Sequence, residues 1–396
     1  MKILLVDDDP VSQRVLAALV AREGYEPECI ADGVAAWERF QQGGIRLVIS
    51  DWTMPGMDGL ELVRRIRAQP GPYTYIIILT ARTEREDVSA AMLAGADDHL
   101  AKPVSRDDLR TRLAVARRIA ALQEELARRN AELEAANARM RHDLRAAQRA
   151  QRGLLPASLP SLPGLTAAWR LLPCEELAGD TLNLVRLDER RAGFYVLDVS
   201  GHGVAAALMA VQVSRHLGPV LGSGSLLKQP QATAPGYRIV PPAEVALALA
   251  GLFHAPRQLQ YCTLLYGIYD LVDHSVEVVC AAHPPPLVVR AGGGIEVPEM
   301  SGHPIGLFTP EESGYTTWRT VLAPGDRLLA ISDGVTETED HTGAILGNAG
   351  LCALIDGQRH LAPEQGADAI LAALAERRQG QSPADDISLL LLQRSG

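Results

Sequence analysis

The chain has 396 residues, enough for two or three domains that each bury a core, and its 47% hydrophobic and 22% charged content is that of a globular protein. A net charge of −10 argues against a dominant nucleic-acid surface, which needs concentrated Lys and Arg, and suits a protein that binds cations. Five scattered cysteines without C-x-x-C spacing suggest neither a disulfide framework nor a thiolate zinc site, and no apolar run reaches the length of a membrane span, so a cytoplasmic protein without membrane association is expected.

Over residues 1–116, apolar runs alternate with amphipathic stretches: Ile3–Val6 then Val11–Arg22, Arg46–Ser50 then Leu60–Ala68, Tyr75–Leu79 then Arg85–Leu93, and His99–Ala101 before Arg106. Runs that are apolar throughout predict strands covered on both faces, hence an α/β doubly wound parallel sheet. Ligands in such sheets bind at the carboxyl ends of strands. Asp7 and Asp8 follow the first run and Asp51 follows Arg46–Ser50, which puts three carboxylates in one crevice. They repel one another unless a hard divalent cation intervenes, and oxygen-only ligands point to magnesium. Thr80 and Lys102 end later strands, offering a hydroxyl and a cation to a phosphoryl group. Asp9 and Asp58 read as turn or cap residues.

Val6-Asp7-Asp8, the stretch Asp51-Trp52-Thr53-Met54-Pro55-Gly56-Met57-Asp58-Gly59, Thr80-Ala81 and Lys102-Pro103 together resemble the receiver domains of two-component response regulators. The resemblance implies that Asp51 accepts a phosphoryl group from a sensor histidine kinase. It implies that Asp7, Asp8, Asp51 and the Thr53 carbonyl hold Mg2+, and that Thr80 and Lys102 report phosphorylation. His99 stands where the family often has a switch aromatic.

Residues 117–152 form the next region, and from about Leu113 to Gln151 the sequence is nearly free of Gly and Pro and rich in Ala, Leu, Glu and Arg, which predicts one long helix ending at Gly153. Leu126, Asn130, Leu133, Asn137, Met140, Leu144 and Ala147 alternate four and three residues apart, a coiled-coil seam. Asparagines at seam positions favour a register-fixed parallel homodimer. The alternative is an amphipathic helix packed on its own C-terminal domain.

Residues 153–396 change to short apolar strands, Ala192–Leu197, Cys262–Tyr269, Val276–Ala281, Leu287–Arg290, Asp326–Ile331 and Ile387–Leu392, with helical stretches at Val204–His216, Ala243–Phe253 and Ala367–Arg378. This predicts an α+β layered sandwich. Asp180, Asp198, Asp333 and Asp385 lie in glycine-containing or doublet acidic turns, and Asp198, Asp333 and Asp385 each adjoin an apolar strand. Carboxylates without a His or Cys cluster select Mg2+ or Mn2+, and such a cluster commonly holds two ions that activate a shared water.

These turns, with the lead-in Gln151-Arg152-Gly153-Leu154-Leu155-Pro156, Thr263-Leu264-Leu265-Tyr266, Ala282-His283-Pro284-Pro285-Pro286 and Pro304-Ile305-Gly306-Leu307, resemble the PPM-type metal-dependent serine/threonine phosphatases of the bacterial SpoIIE-like branch, from about Gln151 to Gln393. The resemblance implies that Asp198 bridges two Mg2+ or Mn2+ ions, with Asp333 and Asp385 on one, the Val199 carbonyl on the other, and Asp180 bound directly or through water. It implies a phosphorylated anti-sigma-factor antagonist as substrate.

Ala178 replaces the first of the usual two glycines, and Thr181-Leu182-Asn183 replaces a more aromatic and acidic continuation. Ser200 stands where relatives in higher organisms place a proton-donating histidine; His202 is then either a proton donor or a structural turn residue, and His283 reads as architectural. The Pro/Gly/Ser-rich segment 217–242 is expected to be a loop, read as a substrate-facing flap. The whole reads as a response regulator whose phosphorylation at Asp51 controls a phosphatase. The other reading is a catalytically inactive, phosphorylation-controlled adaptor, while a DNA-binding output lacks any basic helix-turn-helix.

Overall fold

In the computed structural model, β1 (Lys2–Val6), α1 (Pro10–Arg22), β2 (Glu26–Ile30), α2 (Gly33–Gln41), β3 (Leu47–Asp51), α3 (Gly59–Ala68), β4 (Tyr75–Thr80), α4 (Arg85–Ala94) and β5 (Asp98–Ala101) alternate before α5 (Arg106–Arg152). The strands are all parallel in the order β2-β1-β3-β4-β5. One face packs Leu4, Val6, Val48, Ile76 and Ile78 against Leu62 and Val63 of α3. The other packs Ile3, Leu5, Leu47, Ile49 and Ile77 against Leu16 and Val20 of α1 and Leu109 and Leu113 of α5. Burial on both faces is why β1, β3 and β4 read as unbroken apolar runs. The strand order reverses between β1 and β3, so their carboxyl ends open a crevice there. Asp9 caps α1 by accepting the amides of Val11 and Ser12, and Asp58 caps α3 by accepting Glu61 N at 2.7 Å.

The described residues are 1–81, 85–153, 155–156, 158–222, 224–254 and 260–396; Leu154 of the lead-in motif and Ser223 of the 217–242 segment lie outside them. They divide into two compact units, Met1–Arg139 and Met140–Gly396. The boundary falls inside α5, an unbroken helix of 47 residues, as its composition predicts. Leu109, Leu113 and Ala116 are buried, whereas Leu126, Leu133 and Met140 of the seam are more than half exposed. No helix among the described residues is long and apolar enough to cross a membrane.

The second unit holds two five-stranded antiparallel sheets. One contains β7 (Thr181–Arg186), β8 (Arg191–Val199), β11 (Cys262–Asp270), β12 (Ser275–Ala281) and β15 (Thr317–Val321). The other contains β6 (Leu165–Leu172), β13 (Leu287–Val289), β14 (Ile295–Glu296), β16 (Arg327–Ile331) and β17 (Ile387–Arg394). Phe194, Val196, Leu265 and Val278 of the first sheet meet Leu328, Ala330, Leu390 and Leu392 of the second in a shared core. The alternate residues point outward. Tyr195, Leu197 and Leu264 meet Met209 and Val213 of α6 (Val204–His216) and Val245 and Leu249 of α7 (Pro242–Phe253). Leu329, Ile331, Leu389 and Leu391 meet Leu351 of α9 (Gly347–Gln358) and Ile370 of α10 (Pro363–Arg377). The layers are helix, sheet, sheet, helix.

Segment 217–242 differs from the expected loop. It carries an antiparallel pair, β9 (Lys228–Pro230) and β10 (Tyr237–Ile239), anchored by buried Leu227 and Val240 in the core beneath α6 and α7. Strands this short lie under the length at which alternation can be read against Gly and Pro. The one-turn helix α8 (Asp333–Thr336) follows β16.

Candidate active site

In the first unit Asp7 follows β1, and Asp51 is the last residue of β3. Asp7, Asp8 and Asp51 each bring a carboxylate oxygen within 4.8 Å of the others. Lys102, just beyond β5, donates to Asp7 Oδ2 at 2.8 Å and to Asp51 Oδ2 at 2.7 Å. Burial disfavours the Lys102 charge, but the bonds to Asp51 and Asp7 outweigh it and raise its pKa. Asp7 is further held by Ser12 Oγ at 2.7 Å and the Asp9 amide at 3.0 Å. Thr80 ends β4, is buried, and accepts the Lys102 amide through its carbonyl at 2.9 Å. Thr53 is exposed in the loop after β3. A Cβ on Gly59 would stand 2.1 Å from the Asp51 carbonyl, so only glycine lets α3 begin this close to the crevice. His99 sits on β5 beside Ile78, partly exposed. Oxygen donors at this spacing fit Mg2+.

In the second unit the four acidic turns sit at strand ends. Asp198, the penultimate residue of β8, lies across from Thr263 of β11. Asp180 immediately precedes β7, one step past the Thr181 and Leu197 pair of the β7–β8 ladder. Asp333 opens α8 after β16, and Asp385 precedes β17. Burial, then the charges of Asp333 and Asp385, push Asp198 up to about 7. Asp333 is raised by burial, then by Asp385 and Glu337. Asp180 is held well above the carboxylate range by burial, then by Asp198 and Asp386. Ser332 and Ser388 counter this shift yet leave its buried Oδ2 without a hydrogen-bond partner. Among the described residues, no ion pair includes Asp180, Asp198, Asp333 or Asp385. Mutually repelling carboxylates without a side-chain cation are a donor set that fits hard divalent ions.

Glycines set the approach of the chain. A Cβ on Gly179 would stand 3.0 Å from the Val199 carbonyl and 3.1 Å from that of Gly201, so Gly179 lets the Asp180 segment lie against the β8 turn. A Cβ on Gly334 would stand 2.1 Å from the Asp386 carbonyl, which places α8 directly on the start of β17.

Asp386 is the residue that sequence reasoning passed over. It is buried and accepts the amides of Cys174 at 2.8 Å, Gly179 at 2.6 Å and Asp180 at 3.2 Å. The doublet Asp385-Asp386 was the available signal, because neighbours entering a strand point to opposite sides. Cys174 joins Asp385 and Asp386 in a group with donor atoms within 4.8 Å, so the set is not purely carboxylate. Burial and then the Asp386 charge push the Cys174 thiol up to about 12, which keeps it protonated.

His202 is exposed and pairs through Nδ1 with Glu175 Oε1 at 2.9 Å. Ser200 Oγ accepts the Tyr261 amide at 3.1 Å, tying the β8 turn to β11. His283 is buried, shares a 2.7 Å hydrogen bond with Thr263 Oγ1, and is driven down to about 3 by burial, so it stays neutral as an architectural group.

Residues 188–395 match the family stage II sporulation protein E (SpoIIE), which is more than half of the chain. The chain belongs to the SpoIIE family. Its N-terminal part, residues 3–114, is a response regulator receiver domain. Two curated relatives from Mycobacterium tuberculosis match that part: the transcriptional regulatory protein TrcR, 35% identical over 31% of this chain and 48% of its own, and TcrA, 38% identical over 30% and 47%. The chain thus spans about half the length of these relatives. The SiaA-PP2C domain of Pseudomonas aeruginosa is a structural neighbour with TM-score 0.52 and 20% identity, covering 65% of this chain and 98% of that one. That likeness shows the PP2C fold in this SpoIIE-family domain.

Proposed function

We propose that this SpoIIE-family chain is a metal-dependent protein serine/threonine phosphatase controlled by phosphorylation of Asp51. The observation that carries the reading is the set Asp180, Asp198, Asp333 and Asp385, with Asp180 buried, Asp198 and Asp333 partly buried and Asp385 exposed, whose charges oppose one another with no ion-paired cation among the described residues. Asp198 would bridge two Mg2+ or Mn2+ ions, with Asp333 and Asp385 on one, the Val199 carbonyl on the other, and Asp180 bound directly or through water. When bound, such ions lower the pKa of a shared water and neutralise charge on the phosphoryl group. The chain's own residues would support such a site: Asp198 lies in β8 and Asp385 precedes β17, Gly179 and Gly334 bring the flanking turns close, and Asp386 holds the Asp180 backbone.

In the receiver, Asp51 accepts the phosphoryl group from a sensor histidine kinase. Asp7, Asp8, Asp51 and the Thr53 carbonyl hold Mg2+, while Thr80 and Lys102 respond to the modification. Lys102 already bridges Asp7 and Asp51, so a phosphoryl group on Asp51 would compete for its ammonium. Receiver 1–116, linker 117–152 and phosphatase 153–396 make up the working unit, which pairs as a parallel cytoplasmic homodimer through Leu126, Leu133 and Met140, exposed in the single chain. The substrate is a phosphorylated anti-sigma-factor antagonist.

The test is turnover of a generic phosphatase substrate with Mn2+ by the full chain and by Asp333→Ala, each with and without beryllofluoride. Turnover that Asp333→Ala abolishes and beryllofluoride alters supports the proposal. Equal absence of turnover in both proteins, on the phosphorylated protein substrate as well, supports the inactive adaptor.

A further inference from the structure

Resting on the phosphatase reading, we infer that Gln151, in the last turn of the linker helix, is a positioning residue that sets divalent-cation affinity by gripping the peptide that leads to Asp180. Gln151 Nε2 donates to the Ala178 carbonyl at 2.5 Å, and the Ala178 amide donates back to Gln151 Oε1 at 3.2 Å. Both polar ends of one side chain are thereby spent on a single buried residue. The next two amides, of Gly179 and Asp180, are taken by Asp386. Three consecutive backbone donors ahead of β7 are therefore satisfied by two side chains, one on α5 and one at the start of β17, with no strand ladder to fix them.

The packing makes the grip consequential. A cavity of about 390 Å³ lies beside it, bordered by Gln151, Trp169, Leu171, Asp180, Thr181 and Ser214. Side chains do not fill this space, so the 178–180 segment has room to shift once Gln151 lets go. Gly179 offers no Cβ to resist, and it rests 3.0 Å from the Val199 carbonyl by the position a Cβ would take. Any displacement of the segment moves Asp180 relative to Asp198, which stands opposite it one step past the Thr181 and Leu197 pair. A change at the end of α5 therefore reaches the cation site through one amide side chain.

The test uses the full chain with Asp8→Ala in every protein, which silences the receiver's own Mn2+ site, and reads bound Mn2+ by electron paramagnetic resonance. Gln151→Met keeps the length and packing of the side chain and removes both hydrogen bonds. It should weaken Mn2+ binding about tenfold or more, as loss of outer partners of metal ligands does. Circular dichroism in EDTA should stay that of wild type, with a midpoint lowered by a few degrees because the Ala178 amide and carbonyl lose their partner. Asp180→Asn should weaken binding too, and Gln151→Met added to it should have little further effect, because Gln151 acts through Asp180. Wild-type Mn2+ affinity in Gln151→Met, or losses from the two substitutions that simply add, would overturn the inference. If Asp333→Ala binds Mn2+ as well as the parent does, the carboxylate site itself is wrong and the inference falls with it, a result separate from failure of Gln151 alone.

Discussion

Asp386→Asn is the sharpest test of how the carboxylate cluster is held. The Asp386 carboxylate accepts Cys174 N on Oδ1 and Gly179 N and Asp180 N on Oδ2. Asparagine has the same shape but only one acceptor oxygen. Its better orientation keeps the oxygen on Gly179 and Asp180 and turns an NH2 group toward the Cys174 amide, leaving that partly buried donor unpaired at about 1–3 kcal/mol. The other orientation strands two donors and is worse. Opposing this, loss of the Asp386 charge relieves its repulsion of Asp180 and Asp198. That relief exists only while the cluster lacks cations, so the destabilisation should be partly masked in EDTA and exposed with Mn2+. A net loss of about 2 kcal/mol lowers the midpoint of a unit this size by about 4–8 °C. Calorimetry of the second unit's transition in EDTA and in saturating Mn2+ measures both. A midpoint equal to wild type in both buffers would refute the clamp.

Asp198 is held near 7, so the folded chain keeps a proton that the unfolded chain releases from about pH 4 upward. Stability in EDTA should therefore fall as pH rises through that window and level off above it, and saturating Mn2+ should reverse the trend; a flat midpoint across pH 5–8, taken as roughly the accessible range, contradicts it. Lys102→Ala should destabilise the first unit in EDTA, since buried Asp7 loses its cation, and Mg2+ should restore more stability to the variant than to wild type in thermal melts. Leu133→Arg, at a position 61% exposed in the single chain, should leave the fold intact yet convert a dimer to monomer in sedimentation velocity; an unchanged sedimentation coefficient would remove the coiled coil.

Legibility in the sequence follows burial. β1, β3 and β4 are covered on both faces and stand out as apolar runs, while β2, Glu-Pro-Glu-Cys-Ile at the sheet edge and partly exposed throughout, carries no such signal. Asp7, Asp51 and Lys102 were readable because each closes a strand in a fixed order. α9 was missed: it has three glycines and no side-chain cap, and its apolar face is formed by Leu351 and Ile355 alone among its fully buried positions. Asp386 was hidden for another reason. Its partners are backbone amides more than 200 residues earlier, and a backbone amide leaves no trace in a residue pattern.

The location of the cluster explains why it needs such ties. Asp180 and Asp198 flank β7 and β8 of one sheet, and Asp333 and Asp385 flank β16 and β17 of the other. Like charges thus face one another across the seam of the sandwich, where repulsion pushes the sheets apart. The bonds that cross or brace this end are polar: Asp386 to the Cys174, Gly179 and Asp180 amides, the Ser332 hydroxyl to the Asp386 carbonyl, and the Ser388 amide to the Ser332 hydroxyl. Cations bound there would turn a repulsive seam into an attractive one. Metal affinity and closure of the sandwich end would then be one equilibrium, and any element that shifts the 178–180 segment, the end of α5 included, would act on both.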